Sequence, residues 1–229
     1  MNTMILDILC EGQTEELFVT KVLKPFLSNL GWVVKSRLLV TSKKKNAKGG
    51  MISYQQAKGD LIKWIDEVSQ KRNETHYFTT MFDWYALPTD FPGYQDASRI
   101  QDVYLQVEKI ENEFSKDIIY SRFIPYIQLH EFEALLFCDI EKLEKDYPNS
   151  KKEISELAKI LFAYNNNPEL INSSQATAPS HRIINALKRK YKYNKPRSGS
   201  SVTASIGLDK LRNKCMHFNF WLEKIEVIH

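Results

Sequence analysis

Three apolar runs in this chain each end in acidic residues. Met4–Cys10 leads into Glu11-Gly12-Gln13-Thr14-Glu15-Glu16, Tyr77–Phe82 into Asp83, and Phe123–Leu129 into His130-Glu131-Phe132-Glu133. Short, almost wholly apolar runs bounded by turn residues are the mark of strands buried on both faces of a parallel sheet. In an open parallel sheet, residues just past the carboxyl ends of the strands converge on one crevice. Carboxylates distant in sequence therefore meet in a small volume. Gathered there they repel one another unless a divalent cation neutralises them, and an all-oxygen donor set suits Mg²⁺ or Mn²⁺.

Helical periodicity fills the intervals. From Thr14, Leu17, Phe18, Val22, Phe26, Leu27 and Leu30 share a face, with Pro25 bending or breaking the helix and Gly31 ending it. Trp32–Val40 is the next strand, and Thr41–Gly50 a basic, glycine-terminated loop. Tyr54–Gln70 and Ser98–Phe114 read as helices; between them Trp84–Gln95 is an aromatic and proline-rich loop beside Asp83. Ile118–Leu129 is strand-like but long, with Pro125 limiting its pairing. Glu131–Phe137 opens a helix, followed by helices over Lys151–Tyr164, Ile183–Lys192, Leu208–Lys214 and Phe218–Ile225. The alternation predicts an α/β fold: a mainly parallel, Rossmann-like sheet flanked by helices over residues 1–146, with a mostly helical, basic part over 147–229 packed on it.

A hydrophobic share of 43% supports a substantial core, and a net charge of +4 permits a nucleic-acid partner without demanding one. Cys10, Cys138 and Cys215 are three thiols with no zinc-like spacing, and a disulfide framework is not expected in a chain this long. The chain starts with a strand-like run rather than a basic leader, and no apolar stretch nears the ~20 residues of a membrane span. The expectation is a cytoplasmic protein without a membrane partner.

At the first strand–helix junction, Gly12 allows a close backbone approach, while the helix start offers free N–H groups. Glu15 lies one turn after Glu11 and can face the same volume; equally, Glu15 and Glu16 can serve as first-turn acids that complement the helix dipole. Asp83 reads as a ligand or as a plain turn residue. Of Glu131 and Glu133, at alternate positions, at most one is expected at a metal, and His130 reads as a cap or orienting group.

Taken together, CEGQTEELFV (10–19), KGG (48–50), FDWYALPTDFPG (82–93), IPYIQLHEFEALLF (124–137), ATAPSHRI (176–183) and IGLDKLRNKCMHFNFWL (206–222) span nearly the whole chain. This pattern resembles the Toprim fold of topoisomerases, bacterial primases and OLD-type nucleases, and more closely a family of Toprim-like bacterial proteins of undefined function. The resemblance implies a Mg²⁺- or Mn²⁺-dependent nuclease in which Glu11, Asp83 and Glu133 or Glu131 carry catalysis and Glu11, Glu15, Asp83 and Glu133 hold metal. The family's second aspartate falls at Tyr85, with Asp90 as a substitute from the loop, so one metal or two stays open. The resemblance also implies an AAA- or ABC-type ATPase partner in anti-phage defence. No GxxxxGK[ST] phosphate loop occurs here, so that ATPase would be a separate polypeptide. A homo-oligomer is open, as is a non-catalytic module whose acidic cluster contacts a partner.

The second candidate surface is basic. Arg182, Lys188, Arg189, Lys190, Lys192, Lys195 and Arg197 occur without an intervening acid, with Tyr191 and Tyr193 among them. Such residues would neutralise phosphates of DNA or RNA while tyrosines stack on bases; a solvated helix face is the plainer alternative. Lys43, Lys44, Lys45 and Lys48 could add a second contact.

Overall fold

The computed structural model describes residues 2–39, 51, 53–171 and 177–228. Val40, the lysine-rich segment 41–50 and residues 172–176 lie outside the described residues.

The apolar runs form a five-stranded, wholly parallel sheet. β1 (Thr3–Cys10) lies between β2 (Val33–Leu38) and β3 (Glu74–Asp83), with Leu6 opposite both Val34 and Tyr77. The other edge of β3 pairs first with β4 (Phe123–Ile124), then with β5 (Ile127–Gln128), where Phe82 meets Ile127. The long strand expected over Ile118–Leu129 is thus two short bridges. Pro125 has no N–H for the ladder, and the Thr80 hydroxyl fills the gap by accepting from Tyr126 N and donating to Tyr126 O.

Side chains of β1 alternate between two apolar layers, as a strand buried on both faces must. Leu6, Ile8 and Cys10 join one core with Phe18, Leu23 and Leu27, while Leu9 joins another with Leu61, Trp64, Phe78, Ile110 and Phe114. The first layer holds α1 (Gln13–Phe18) and α2 (Lys24–Asn29), joined by a π turn over Val19–Leu23. Pro25 therefore does not break the path; the widened turn precedes the residue that has no N–H to give. Gly31, at φ 92, ends the helix. The second layer holds α3 (Tyr54–Ser69) and α5 (Val103–Ile118); α5 starts later than the periodicity suggests because Asp102 caps Tyr104 N and Leu105 N. The short α4 (Tyr94–Ala97) lies before it, entered through Gly93 at φ 74.

The expected helix at Glu131–Phe137 is a 3₁₀ segment, Phe132–Lys145, kinked at Asp139. α6 (Lys151–Phe162) follows, then α7 (Pro179–Leu187), which begins earlier and ends earlier than read because Pro179 suits a first turn. α8 (Lys195–Ile206), α9 (Leu208–Lys214) and α10 (Met216–Glu226) complete the chain. The C-terminal helices are not a lobe apart. Phe218, Trp221 and Leu222 lie in the same apolar cluster as β1, and Trp221 Nε1 donates to Thr79 Oγ1 of β3 at 2.9 Å. The 146/147 boundary marks a change of composition, not of core.

Candidate active site

Glu11 follows β1 by one ladder step, its N–H donating to Met81 O at 3.1 Å, which sets it beside the end of β3. There Glu11 Oε2 accepts from Asp83 N at 3.0 Å. Asp83 Oδ1 in turn accepts from Phe132 N at 2.9 Å, tying the β3 end to the turn after β5. That turn carries His130 at φ 62, a left-handed conformation unusual for a residue with a side chain, and His130 O accepts from Tyr85 N at 3.1 Å. Gly12 is extended; its N–H donates to Glu15 Oε2 at 2.9 Å, and a β-carbon there would stand 3.1 Å from that oxygen. Glu15 is thereby swung back over the strand end instead of pointing along the helix.

Glu11, Glu15, Asp83 and Glu133 line one cleft of about 410 Å³, with Gly12, Thr14 and Lys195 in its walls. Glu133 is 1% exposed; its Oε2 stands 3.4 Å from Lys195 Nζ, and its enclosed Oε1 has no partner. One oxygen of each of the other three is aimed by a backbone N–H, the kind of outer support that orients metal-ligating carboxylates. Burial, with Glu15 adding, pushes the Glu11 carboxyl up to about 8. Burial likewise takes Glu133 to about 7 against the pull of Lys195, raises Glu15, and puts Asp83 well above the carboxylate range together with the neighbouring acids. Lys195 is lowered by burial, but Glu133 and Glu131 outweigh this, so its net shift is upward and it is a cation. The site binds protons more tightly than separate carboxyls would, as expected where positive charge is wanting.

Four of the expected acids thus come together, and two do not. Glu131 Oε2 accepts from Ser180 N at 3.0 Å, capping α7, so only Glu133 of the pair reaches the cleft. Asp90, the expected substitute for a second aspartate, is not among the cleft residues; its carboxylate accepts from Tyr54 N at 3.2 Å at the start of α3. Tyr85 lies beside His130, ring centroids 5.5 Å apart, and is not among the cleft residues. His130 is 1% exposed and burial drives its pKa down to about 4, so the ring is neutral. Among the described residues, no three His, Cys, Asp or Glu side chains stand as a ready-made metal-binding group.

The basic residues divide. Lys195 belongs to the acidic cleft, a place that sequence reasoning missed although Asn194 before Lys195-Pro196 is a helix-start signal. Arg182 is committed to Thr177 O at 2.6 Å and Tyr164 Oη at 3.0 Å, and Lys190 to Asn149 O at 2.7 Å and Glu153 at 2.9 Å. Lys188, Arg189, Lys190 and Lys192 line a shallow groove of about 490 Å³, and Arg197 is exposed. The tyrosines are not free to stack on bases: Tyr193 is buried and Tyr191 Oη donates to Pro148 O at 2.6 Å. They anchor the segment against Tyr147 because a large ring gains more from burial than from exposure. Lys43, Lys44, Lys45 and Lys48 fall outside the described residues.

Residues 10–226 match a family model described as a domain of unknown function, DUF4276. The match covers nearly the whole chain, which therefore belongs to that family. No curated protein and no solved structure matches it. Among the described residues, no helix is long and apolar enough to cross a membrane.

Proposed function

We propose that this member of the DUF4276 family is a Mg²⁺- or Mn²⁺-dependent nuclease that cleaves phosphodiester bonds of DNA or RNA in the cleft at the carboxyl ends of β1 and β3. The observation that carries the reading is the gathering of Glu11, Glu15, Asp83 and Glu133 around one opening with a single lysine. The donor set fits a hard dication: all oxygen, held by backbone N–H groups, and including a buried carboxylate oxygen without a partner. Glu11, Asp83 and Glu133 would hold the ion, with Glu15 beside them. When bound, it would polarise a phosphoryl oxygen and acidify water.

The chain's own groups do the rest. Lys195 places an ammonium at the rim, where it neutralises charge that builds on a phosphoryl group. The Asp83–Phe132 and Glu11–Asp83 bonds fix the carboxylates before substrate arrives, so little reorganisation is left for the reaction. The exposed Lys188, Arg189, Lys192 and Arg197 offer phosphate contacts outside the cleft. A separate AAA- or ABC-type ATPase and a role in anti-phage defence belong to the same reading through the resemblance alone, and a cytoplasmic location is a further part of the proposal.

Glu11→Gln tests it. The variant should fold, lose Mn²⁺-induced thermal stabilisation and lose cleavage of DNA and RNA substrates. Full activity in that variant would remove the nuclease reading. A non-catalytic binding module is the second reading, favoured by the lack of a ready-made group of three ligands among the described residues. Such a module would show no Mn²⁺ stabilisation in the native chain either.

A further inference from the structure

The cleft differs from a site built for two dications in one respect: it already contains a cation. Two-ion phosphodiester sites set their metals roughly 3.5–4 Å apart and need carboxylates for both. Here Lys195 Nζ stands 3.4 Å from Glu133 Oε2, the distance of a direct ion pair across the cleft wall. Two further acids, Glu131 and Asp90, are not among the cleft residues; they accept from Ser180 N and Tyr54 N respectively. The position two residues after Asp83 holds Tyr85, a phenol that does not line the cleft. What remains for a metal is Glu11, Asp83, Glu15 and Glu133, all in the cleft lining, the last with a buried Oε1 that has no hydrogen-bond partner.

We propose that this cleft takes one divalent cation, not two, and that the Lys195 ammonium stands in the place of the second. The inference rests on the cation-dependent nuclease reading and deepens it. α8 is what delivers the ammonium. Asn194 caps it by accepting from Arg197 N at 3.1 Å, and its body packs on α1, with Gly199 so close that an added β-carbon would stand 2.6 Å from Thr14 Cγ2. Lys195 is therefore tied to the same helix–strand junction that carries Glu11 and Glu15. A dication together with the ammonium would oppose the negative charge of the four carboxylates. A second dication would have to sit beside the ammonium, and like charges at short range repel.

Counting bound Mn²⁺ in the full chain, by calorimetric titration with the metal alone and by the electron paramagnetic resonance of free ion, tests the proposal without relying on activity. The native chain should bind one ion. Lys195→Glu, which puts a carboxylate where the ammonium was, should bind two. Lys195→Gln should keep one ion and bind it at least several-fold more tightly, because a neighbouring positive charge has gone. Two ions in the native chain would overturn this inference and leave the nuclease reading standing. No ion in the native chain would overturn the nuclease reading itself. A Lys195→Glu variant that still takes one ion, or a Lys195→Gln variant with unchanged or weaker affinity, would show that Lys195 is not what excludes the second. If Lys195→Glu fails to fold, the Lys195→Gln affinity decides alone.

Discussion

In the metal-free protein, stability should fall as pH rises from about 5 to 8, and Glu11→Gln should remove much of that fall. Burial, reinforced by Glu15, holds the folded Glu11 carboxyl at about 8, against an ordinary 4.5 in the unfolded chain. Between those values the folded chain binds more protons than the unfolded one, so raising the pH favours unfolding. Each tenfold difference in proton affinity is worth about 1.4 kcal/mol, which gives on the order of 3 kcal/mol lost by pH 7 for this group alone. Water in the open cleft and proton sharing with Glu15 reduce the figure to roughly 1.5–3 kcal/mol. Glu133, at about 7, and Asp83 are shifted in the same direction and add to the slope. Gln at position 11 can still accept from Asp83 N through its amide oxygen but never ionises. Guanidinium unfolding in EDTA at pH 5, 6, 7 and 8 measures the effect. The variant should match the native chain near pH 5 and exceed it by about 1.5–3 kcal/mol at pH 8, roughly 4–10 °C in melting temperature. Mn²⁺ should flatten the native profile and leave the variant unchanged. Parallel pH profiles for the two proteins in EDTA would refute the argument that Glu11 is a strained buried carboxyl.

Gly199→Ala should destabilise by about 1–3 kcal/mol, because the new methyl would stand 2.6 Å from Thr14 Cγ2 and 3.1 Å from the Phe132 ring. Urea unfolding checks it, and a change below about 0.5 kcal/mol would mean that α1 and α8 separate easily. Nucleic-acid binding should weaken as salt rises, and replacing Lys188, Arg189 and Lys192 with Gln should flatten that dependence by about 0.7–0.9 in log–log slope for each phosphate that is no longer neutralised. Mn²⁺ stabilisation should persist in this triple variant; an unchanged slope would make these residues a solvated face.

Much of this architecture was written in local pattern. The runs Met4–Cys10 and Tyr77–Phe82 read as doubly buried strands, and Glu11 and Asp83, standing one residue beyond them, were placed to meet at the carboxyl edge of a parallel sheet. The end of the first helix at Gly31 and the whole of Leu208–Lys214 were legible for the same reason: periodicity and punctuation act within a few residues. What the sequence could not decide was which polar groups would find one another across the core. Glu131 and Glu133 are equivalent in the string, and only the placing of α7 gives one a backbone N–H to cap and leaves the other buried with a lysine. Lys195 looked like one more residue of a basic run until α8 packed on α1 and turned it into the cleft. Tyr191 and Tyr193 looked available to bases until Tyr147 and Pro148 claimed them. Strand and helix formation follow from short-range sterics and apolar spacing. The partner of a charge depends on desolvation and on packing between elements distant in sequence, and these exist only once the chain has closed on its core.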